Sequence, residues 1–278
     1  MEFKDTEVIN KLKEFIRNAD QLTVLTGAGC SLPSGIPTYR DTQGTWQRNA
    51  PIYHRDFLTK YESRQRYWAR SMAGWPTIAK AKPNESHHFL RLLERQGKLR
   101  RLVTQNIDAL HQRAGHRNVI DLHGRLDQVV CLACGVKSSR RDLQKRLEAL
   151  NPKIPKVISI APDGDADIYT DVSQFNVPAC LDCGGILKPN VIFFGDTVNK
   201  DIVQLIYKDL AKTDGFLIVG TSLKVYSGFR FCKRAAQIKK PIVCINPGDT
   251  RGDGLYTIKV KLDCIKVARE LILTVDSQ

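Results

Sequence analysis

No apolar run in this 278-residue chain approaches the ~20 residues that a membrane-crossing helix needs, so no membrane partner is expected. The opening stretch, Met1-Glu2-Phe3-Lys4-Asp5, lacks the apolar core of a secretory signal and the arginines of a transit peptide. An intracellular, cytoplasmic protein is expected. The mitochondrial matrix is the alternative, for a mature chain whose presequence has been removed. There is no long basic tail either. The net charge is +14, yet the basic residues (Arg64, Arg66, Arg70, Arg91, Arg95, Arg100, Arg101, Arg140, Arg141, Lys145, Arg146) are spread along the chain. Nucleic acid is therefore not indicated beyond the charge itself. Disorder is excluded by a 42% hydrophobic and 26% charged composition. Disulfides are not expected among the eight cysteines in a cytosol-like setting, and a monomer is expected.

Something is also missing from the first motif. Leu22-Thr23-Val24-Leu25 reads as a buried strand, and it runs into Gly27-Ala28-Gly29. A strand ending in Gly-x-Gly can present bare N–H groups to a phosphate. The usual dinucleotide fingerprint has a third glycine, but Leu32 stands in its place, and no acidic residue ends a second strand cleanly about 20 residues on. The stretch is a pyrophosphate site of unusual form, or a tight turn. Ser31, Gly35, Ile36, Pro37, Tyr39, Arg40 and Asp41 are too polar and too broken for an ordinary first helix. They read as a ligand loop with an aromatic and an arginine at its tip.

What is present is an alternation of helices and strands. Residues 5–17 predict an amphipathic helix. Asp56 to Trp75 is helical text rich in aromatics, read as a packed layer over a core, with a substrate channel as the functional alternative. Ser86 to Gln96 predicts another helix, closed by Gly97, and Arg101 to Thr104 a strand. That strand runs into Gln105-Asn106-Ile107-Asp108, polar residues at the end of a sheet strand where open α/β folds keep their ligands. Asn106 and Asp108 could cap the next helix, but three polar residues exceed what a cap requires. Val119 to Leu122 is a strand, and His123-Gly124 just past it leaves an imidazole free to face a cleft. His123 is better placed for this than His54, His87, His88, His111 or His116.

Cys131-x-x-Cys134 and Cys180-x-x-Cys183, each followed by glycine, form two knuckles with the spacing of a tetrahedral zinc site. Four thiolates leave no open position for water, so the site is expected to be structural. Between the knuckles lie a basic helix (Ser138 to Leu150) and a loop from Asn151 to Asp171. Strands are then expected at Asn190–Phe194, Phe216–Val219, Ile242–Ile245 and Lys259–Leu262. They alternate with helices at Val198–Ala211, Phe229–Ile238 and Ile265–Leu273. This predicts an α/β fold: a doubly wound, Rossmann-like, mostly parallel sheet with an inserted small zinc-binding module. The expected division is 1–126 with 188–278 as the large domain and 127–187 as the module, with part of the small domain contributed by about 40–85.

Taken in order, these residues resemble the sirtuins, NAD-dependent protein deacylases. The matching runs are Gly27-Ala28-Gly29-x-Ser31, Gly35-Ile36-Pro37-x-Tyr39-Arg40, Thr104 to Asp108, His123-Gly124, the paired knuckles, Gly195 in its FFGD run, Gly220-Thr221-Ser222 and Asn246. Arg66 to Arg70, Gly74-Trp75-Pro76, Val191 to Val198 and the long insertion between the knuckles resemble the class II branch, with its mitochondrial sirtuin-four-like and bacterial members. The resemblance implies that Gly27, Ala28, Gly29, Cys30, Ser31 and Pro37 hold the NAD pyrophosphate. It has Tyr39 screen the reacting sugar and Arg40 steady the phosphates. Gln105, Asn106, Ile107 and Asp108 hold the ribose and carboxamide. Gly220, Thr221, Ser222, Asn246 and Pro247 bind the adenosine half, with Cys264 near adenine.

His123 and Asn106 are the implied catalytic residues. The implied chemistry is loss of nicotinamide, attack of the acyl-lysine amide oxygen on C1′, and removal of a ribose hydroxyl proton by neutral His123. The products are nicotinamide, O-acyl-ADP-ribose and free lysine. An acyl-lysine protein or peptide would pair as a borrowed strand along Val191, Phe193, Phe194, Gly195, Val225 and Tyr226. NAD and Zn2+ are the implied cofactors. Cys30 replaces a more usual aliphatic residue, and Asp196 a more usual glutamate. The Tyr and Arg pair of desuccinylases is not evident, Thr45 and Arg48 lying in the loop instead. Acidic acyl groups are therefore not expected. Protein mono-ADP-ribosyl transfer and lipoamidase activity are the alternatives for the same cleft. A zinc-containing nucleic-acid or protein binding module is the non-enzyme alternative.

Overall fold

In the computed structural model, which describes residues 3–37, 52–152, 157–160, 166–168 and 171–275, helix and strand alternate from the start. The first half holds α1 (Phe3–Asn18), β1 (Leu22–Thr26), α2 (His54–Thr59), α3 (Tyr61–Lys80), α4 (Glu85–Arg95), β2 (Leu99–Thr104), α5 (Leu110–Arg113) and β3 (Val119–Asp121). The middle holds β4 (Gly124–Cys131), β5 (Lys137–Ser139), α6 (Arg140–Leu150), β6 (Val157–Ile160), β7 (Ala166–Ile168) and β8 (Leu187–Val191). The end holds α7 (Lys200–Lys212), β9 (Gly215–Val219), α8 (Tyr226–Gln237), β10 (Ile242–Ile245), β11 (Ile258–Val260) and α9 (Cys264–Val275).

The large sheet has the order β11-β10-β9-β1-β2-β3, and every pairing in it is parallel. Its central strands are apolar on both faces, as strands covered by helices on both sides must be. Leu22, Val24, Leu217 and Val219 pack toward α1, α4 and α9 with Leu12, Leu90 and Val267. Leu25, Phe216 and Ile218 point the other way, into α7 and α8 with Ile206, Leu210 and Phe231. The period of two along each strand sorts the residues between the two layers. The chain leaves β1 on one side, through β2 and β3, and returns on the other side as β9. The direction of winding therefore reverses between β1 and β9, where such sheets open a ligand crevice at their carboxyl ends.

The strand expected at Asn190–Phe194 is found at Leu187–Val191, and it does not enter the large sheet. It lies in a three-stranded sheet, β5-β4-β8, antiparallel to β4. Of the expected apolar run, Val191 pairs with Gly124 of β4, and Phe193 packs against the aromatic cluster instead of extending a strand. The segment Asn151 to Asp171, expected as a loop, contains an antiparallel pair, β6 with β7.

Asp56–Trp75, expected as one helical stretch, is two helices, and the second runs through Pro76 to Lys80. Proline at 76 has no N–H to give the Met72 carbonyl. Gln144 Nε2 donates to that carbonyl instead, at 3.0 Å. The last carbonyls of α3, at Ile78 and Ala79, and that of Ala81 just beyond it, accept from the Arg113 guanidinium, a cation at the negative end of the helix. The aromatic layer is a core: Phe57, Tyr67, Trp68 and Met72 pack with Val129, Cys131, Leu143, Phe175 and Cys180.

Candidate active site

The four strand ends that meet at the crevice carry the polar residues singled out by the sequence. Gly27 follows β1, Gln105 follows β2, Gly220 follows β9 and Asn246 follows β10. The glycines are there for closeness. A Cβ on Gly29 would sit 2.9 Å from the Gly220 carbonyl oxygen, and one on Gly220 would sit 2.4 Å from the Cys30 nitrogen. Their amides are engaged inside the fold: Gly27 N–H donates to Val219 O (3.1 Å) and Gly29 N–H to Gly220 O (2.8 Å). Cys30 and Ser31 N–H close the turn on Gly27 and Ala28. The expectation of bare amides at this turn is corrected on those positions. The turn is a tight one that lets two strand ends touch.

The run after β2 is stitched to that turn. Asn106 Nδ2 donates to Gly27 O and to Ser31 Oγ, both at 3.0 Å. Ser31 Oγ donates to Asp108 Oδ2 at 2.7 Å, and Leu110 N–H donates to Asp108 Oδ1 at 2.8 Å. Asp108 therefore caps α5 and holds the turn at once. Burial pushes its carboxyl above the ordinary range, opposed by Leu110, Ser31 and Arg113. Gln105 Nε2 donates to Thr221 Oγ1 at 2.9 Å, which joins the ends of β2 and β9. Ile107 packs in a small apolar cluster with Ile36, Trp75 and Val191, and its carbonyl accepts from Leu126 N–H.

His123 faces the same crevice. Its Nδ1 lies 2.9 Å from the Gln105 carbonyl oxygen and its Nε2 lies 2.7 Å from Ser227 Oγ. A carbonyl only accepts, so Nδ1 carries the proton and the neutral ring keeps its lone pair on Nε2. Burial holds its pKa below the ordinary imidazole value. The Gln105 carbonyl opposes this, and Arg230 adds to it. The Ile192 amide donates to the His123 carbonyl at 2.8 Å, which brings the Val191–Gly195 segment alongside. His87, His111 and His116 instead pack against one another, tilted and edge-on, in a buried group.

Cys264 Sγ donates to Gly29 O at 3.2 Å, so the start of α9 reaches the glycine turn from a distant part of the sequence. Ser222 O accepts from Arg251 N–H, and Asn246 Nδ2 folds back on Gly248 O, with Pro247 between. Pro37 is half-buried; Tyr39 and Arg40 lie outside the described residues. Of the expected substrate edge, Val225, Tyr226 and Phe194 are exposed. Phe193 packs edge-on against Phe57 and Tyr67. Phe194 already makes one parallel bridge with Tyr53, its carbonyl accepting from His54 N–H.

The residues present fit a dinucleotide at this crevice. A Cβ on any of three glycines would fill the contact between the strand ends, and the buried polar side chains of Ser31, Asp108 and Thr221 gather beside it. They fit zinc at the knuckles too. Cys131 Sγ–Cys183 Sγ is 3.5 Å and Cys134 Sγ–Cys180 Sγ is 3.9 Å. These bracket the ~3.8 Å edge of a tetrahedron with ~2.3 Å zinc–sulfur bonds. Backbone N–H groups of Cys134 and Ala133 hold the Cys131 thiol down to about 6. Against the pull of the Gly185 N–H, the Cys134 and Cys131 thiols push Cys183 up to about 12. A cation at the centre removes that conflict.

Three residues were not singled out from the sequence. Ser227 directly follows Val225 and Tyr226, expected as part of the substrate edge, and nothing local tied it to His123. Asn84, just ahead of α4, donates from Nδ2 to Cys30 O and Ser34 Oγ and so fixes the loop after the glycines. Arg113 donates to Asp108 O at 2.7 Å while holding the end of α3.

The Sir2 family profile matches residues 27–227. A protein of Bradyrhizobium diazoefficiens, NAD-dependent protein deacetylase 2, is 51% identical over 91% of this chain and 93% of its own length. The human mitochondrial NAD-dependent protein lipoamidase sirtuin-4 is 46% identical over 94% of this chain and 84% of its own. A solved Sir2 complex with a p53 peptide and NAD+ superposes with a TM-score of 0.78 at 27% identity, covering 97% of this chain and 99% of that one. Likeness of this depth across nine-tenths of its length means that the chain belongs to the Sir2 family, the sirtuins.

Proposed function

We propose that the crevice at the carboxyl ends of β1, β2, β9 and β10 binds NAD and uses it to strip acyl groups from protein lysines, with His123 as the base. The chain is an NAD-dependent protein deacylase; its bacterial relatives are named NAD-dependent protein deacetylases. The observation that carries the assignment of the base is the Gln105 carbonyl on Nδ1, which leaves Nε2 as the one ring atom able to take a proton.

NAD, when bound, supplies an electrophilic ribose carbon and a nicotinamide leaving group. The protein supplies position and proton handling. Gly27 to Ser31 with Pro37 would lie along the pyrophosphate, and Gly220 to Ser222, Asn246, Pro247 and Cys264 along the adenosine half. Gln105, Asn106, Ile107 and Asp108 would hold the ribose and carboxamide end. Asn106 is anchored on Gly27 O and Ser31 Oγ, so its carboxamide keeps one orientation. His123 takes a ribose hydroxyl proton at Nε2, and its depressed pKa keeps it neutral and ready at physiological pH. Tyr39 and Arg40 are assigned the screening and phosphate roles of the motif. Val191, Phe193, Phe194, Gly195, Val225 and Tyr226 would pair with the substrate backbone. Zinc at the four cysteines would be structural, holding the module around β4 and β8.

The same proposal includes the division into a large domain of 1–126 with 188–278 and a module of 127–187. It also includes a monomer in an intracellular, cytoplasmic setting. The described cysteines are all free, which suits a reducing compartment. Among the described residues no helix is long and apolar enough to cross a membrane.

The test is incubation with NAD and acetyl-, longer acyl- and lipoyl-lysine peptides, with nicotinamide release and the acylated sugar product followed by mass. The lipoyl arm is included because a relative at 46% identity is named a lipoamidase. Acyl-dependent nicotinamide release that disappears in His123→Ala is expected. Release without loss of the acyl group, or unchanged turnover in His123→Ala, overturns the reading.

A further inference from the structure

Ser227 is the second residue of α8, and its hydroxyl lies on the atom of His123 that must receive the proton. The contact is short, 2.7 Å, and it is partly buried. Both partners of the imidazole are held by the same small network. Gln105 gives its carbonyl to Nδ1 and its side chain to Thr221, at the start of the segment that leads into α8. Gly228, next to Ser227, lets the helix close on Gln105, where a Cβ would stand 2.5 Å from Oε1. Phe229 N–H donates to Val225 O, which starts the helix and fixes where position 227 points.

A serine hydroxyl both donates and accepts. Toward the neutral ring Ser227 must donate, because Nε2 holds a lone pair. Toward the protonated ring it must accept, because Nε2 then holds a hydrogen. A hydrogen bond from a cationic donor is roughly twice as strong as a neutral one. The ring's surroundings otherwise disfavour charge: it is buried, and Arg230 on α8 is the charged side chain that acts on it among the described residues. The loop after β2 contributes the Gln105 carbonyl, and Ile192 beyond β8 contributes no charge.

We propose that Ser227 is a positioning residue for His123: it donates to Nε2 at rest, yields to the incoming hydroxyl, and then turns to accept the Nε2–H of the imidazolium. The proton that moves comes from the ribose hydroxyl, where the O–H bond breaks, and it ends on Nε2, where the N–H bond forms. Ser227 keeps its own proton throughout. With Gln105 O on Nδ1–H, this gives the cation an acceptor on each nitrogen. The inference rests on His123 as the base and assigns that base its second partner.

The experiment compares wild type, Ser227→Ala and Ser227→Thr, measuring kcat and kcat/KM from about pH 5 to 8. The alanine variant is expected to move the acid limb of kcat/KM to lower pH by about half a unit to one unit, because the imidazolium loses an acceptor. Its plateau kcat is expected to fall several-fold at unchanged peptide KM, and threonine is expected to restore both. A lower plateau with the acid limb unmoved, or an acid limb moved upward, overturns the proposal. A second readout needs no turnover: the 15N signals of His123 in the nucleotide-free protein. A ring protonated on Nδ1, with an Nε2 signal that changes in Ser227→Ala, is expected. A ring protonated on Nε2 at neutral pH overturns the proposal. Failure here with an inactive His123→Ala removes only Ser227 from the scheme, whereas an active His123→Ala removes the base itself.

Discussion

Ser31 Oγ and Asp108 Oδ2 meet at 2.7 Å in a buried contact that joins the turn after β1 to the turn after β2. Neither residue belongs to a helix or strand, and with the Asn106 Nδ2 bonds to Gly27 O and Ser31 Oγ this contact fixes the two loops to each other. Asp108 is a carboxylate with its largest influence, burial, working against its charge. Taking away one of its donors leaves that charge under-served, at a cost of about 1.5–3 kcal/mol for a bond to an ionised group. Ser31→Ala is expected to raise the Kd for NAD roughly tenfold to a hundredfold, the same energy expressed as binding, and to lower the melting temperature by a few degrees. Titration calorimetry with NAD checks the first. Unchanged affinity would show that the two loops are held by other means.

Metal removal is the next test. Cys131 and Cys180 are not on the rim of the protein but in one cluster with Phe57, Trp68 and Phe175. Four thiolates left without their cation repel one another until they take up protons, and structural zinc contributes about 10–16 kcal/mol to folding in small zinc-finger peptides. A chelator strong enough to strip the ion, or Cys180→Ser, is expected to expose Trp68 and shift its fluorescence to the red. Activity is expected to be lost in parallel. Full activity in protein shown to be metal-free would contradict a structural role.

The sheet and most of the crevice were legible in the sequence because both obey local rules. Apolar runs such as Phe216–Val219 end in small or polar residues, and strand ends in a parallel sheet share one edge. What could not be read depended on contacts distant in sequence. The apolar run Val191–Phe194 invited a Rossmann strand, yet the strand lies at Leu187–Val191, and its pairing with β4 puts it in the other sheet. Pro76 marks a helix end by local rule, yet Gln144, from a different helix, accommodates it. The Gly27 and Gly29 amides turn inward because β9 lies beside them, which a motif cannot express. Ser227 reaches His123 across 104 positions of sequence.

His87, His111 and His116 pack together in the interior, and all three have pKa values below the ordinary one, mainly through burial. His87 is lowered to about 3. The unfolded chain takes up protons on these rings near pH 6.5, while the folded protein does not. Stability is therefore full above about pH 6.5 and is lost as the pH falls toward about 3, by up to ~1.4 kcal/mol per pH unit for each ring. Urea midpoints measured from neutral pH downward are expected to drop steadily from just below pH 7. A flat response down to about pH 5 would mean that the rings are already hydrated or charged in the native state.

Gly220 has the most exacting position in the crevice, and a comparison with Gly97 isolates why. Both are in the left-handed region, at φ +63 and +76. Any other residue there costs about 1–2 kcal/mol on backbone grounds alone. Around Gly97, which ends α4, a Cβ meets nothing within 4 Å; at Gly220 it would lie 2.4 Å from Cys30 N and 2.7 Å from Gly29 C. Those neighbours are backbone and cannot turn aside. Gly97→Ala is expected to lower stability by about 1–2 kcal/mol and leave NAD affinity as it is. Gly220→Ala carries the same backbone cost, and it must also push the turn after β1 away from β9, opening the contact on which the nucleotide would rest. Its NAD affinity is expected to fall beyond measurement under conditions where the protein is still folded by circular dichroism. Equal losses in the two variants would show that the close approach of the strand ends has no part in binding, and that the backbone angle alone keeps glycine at 220.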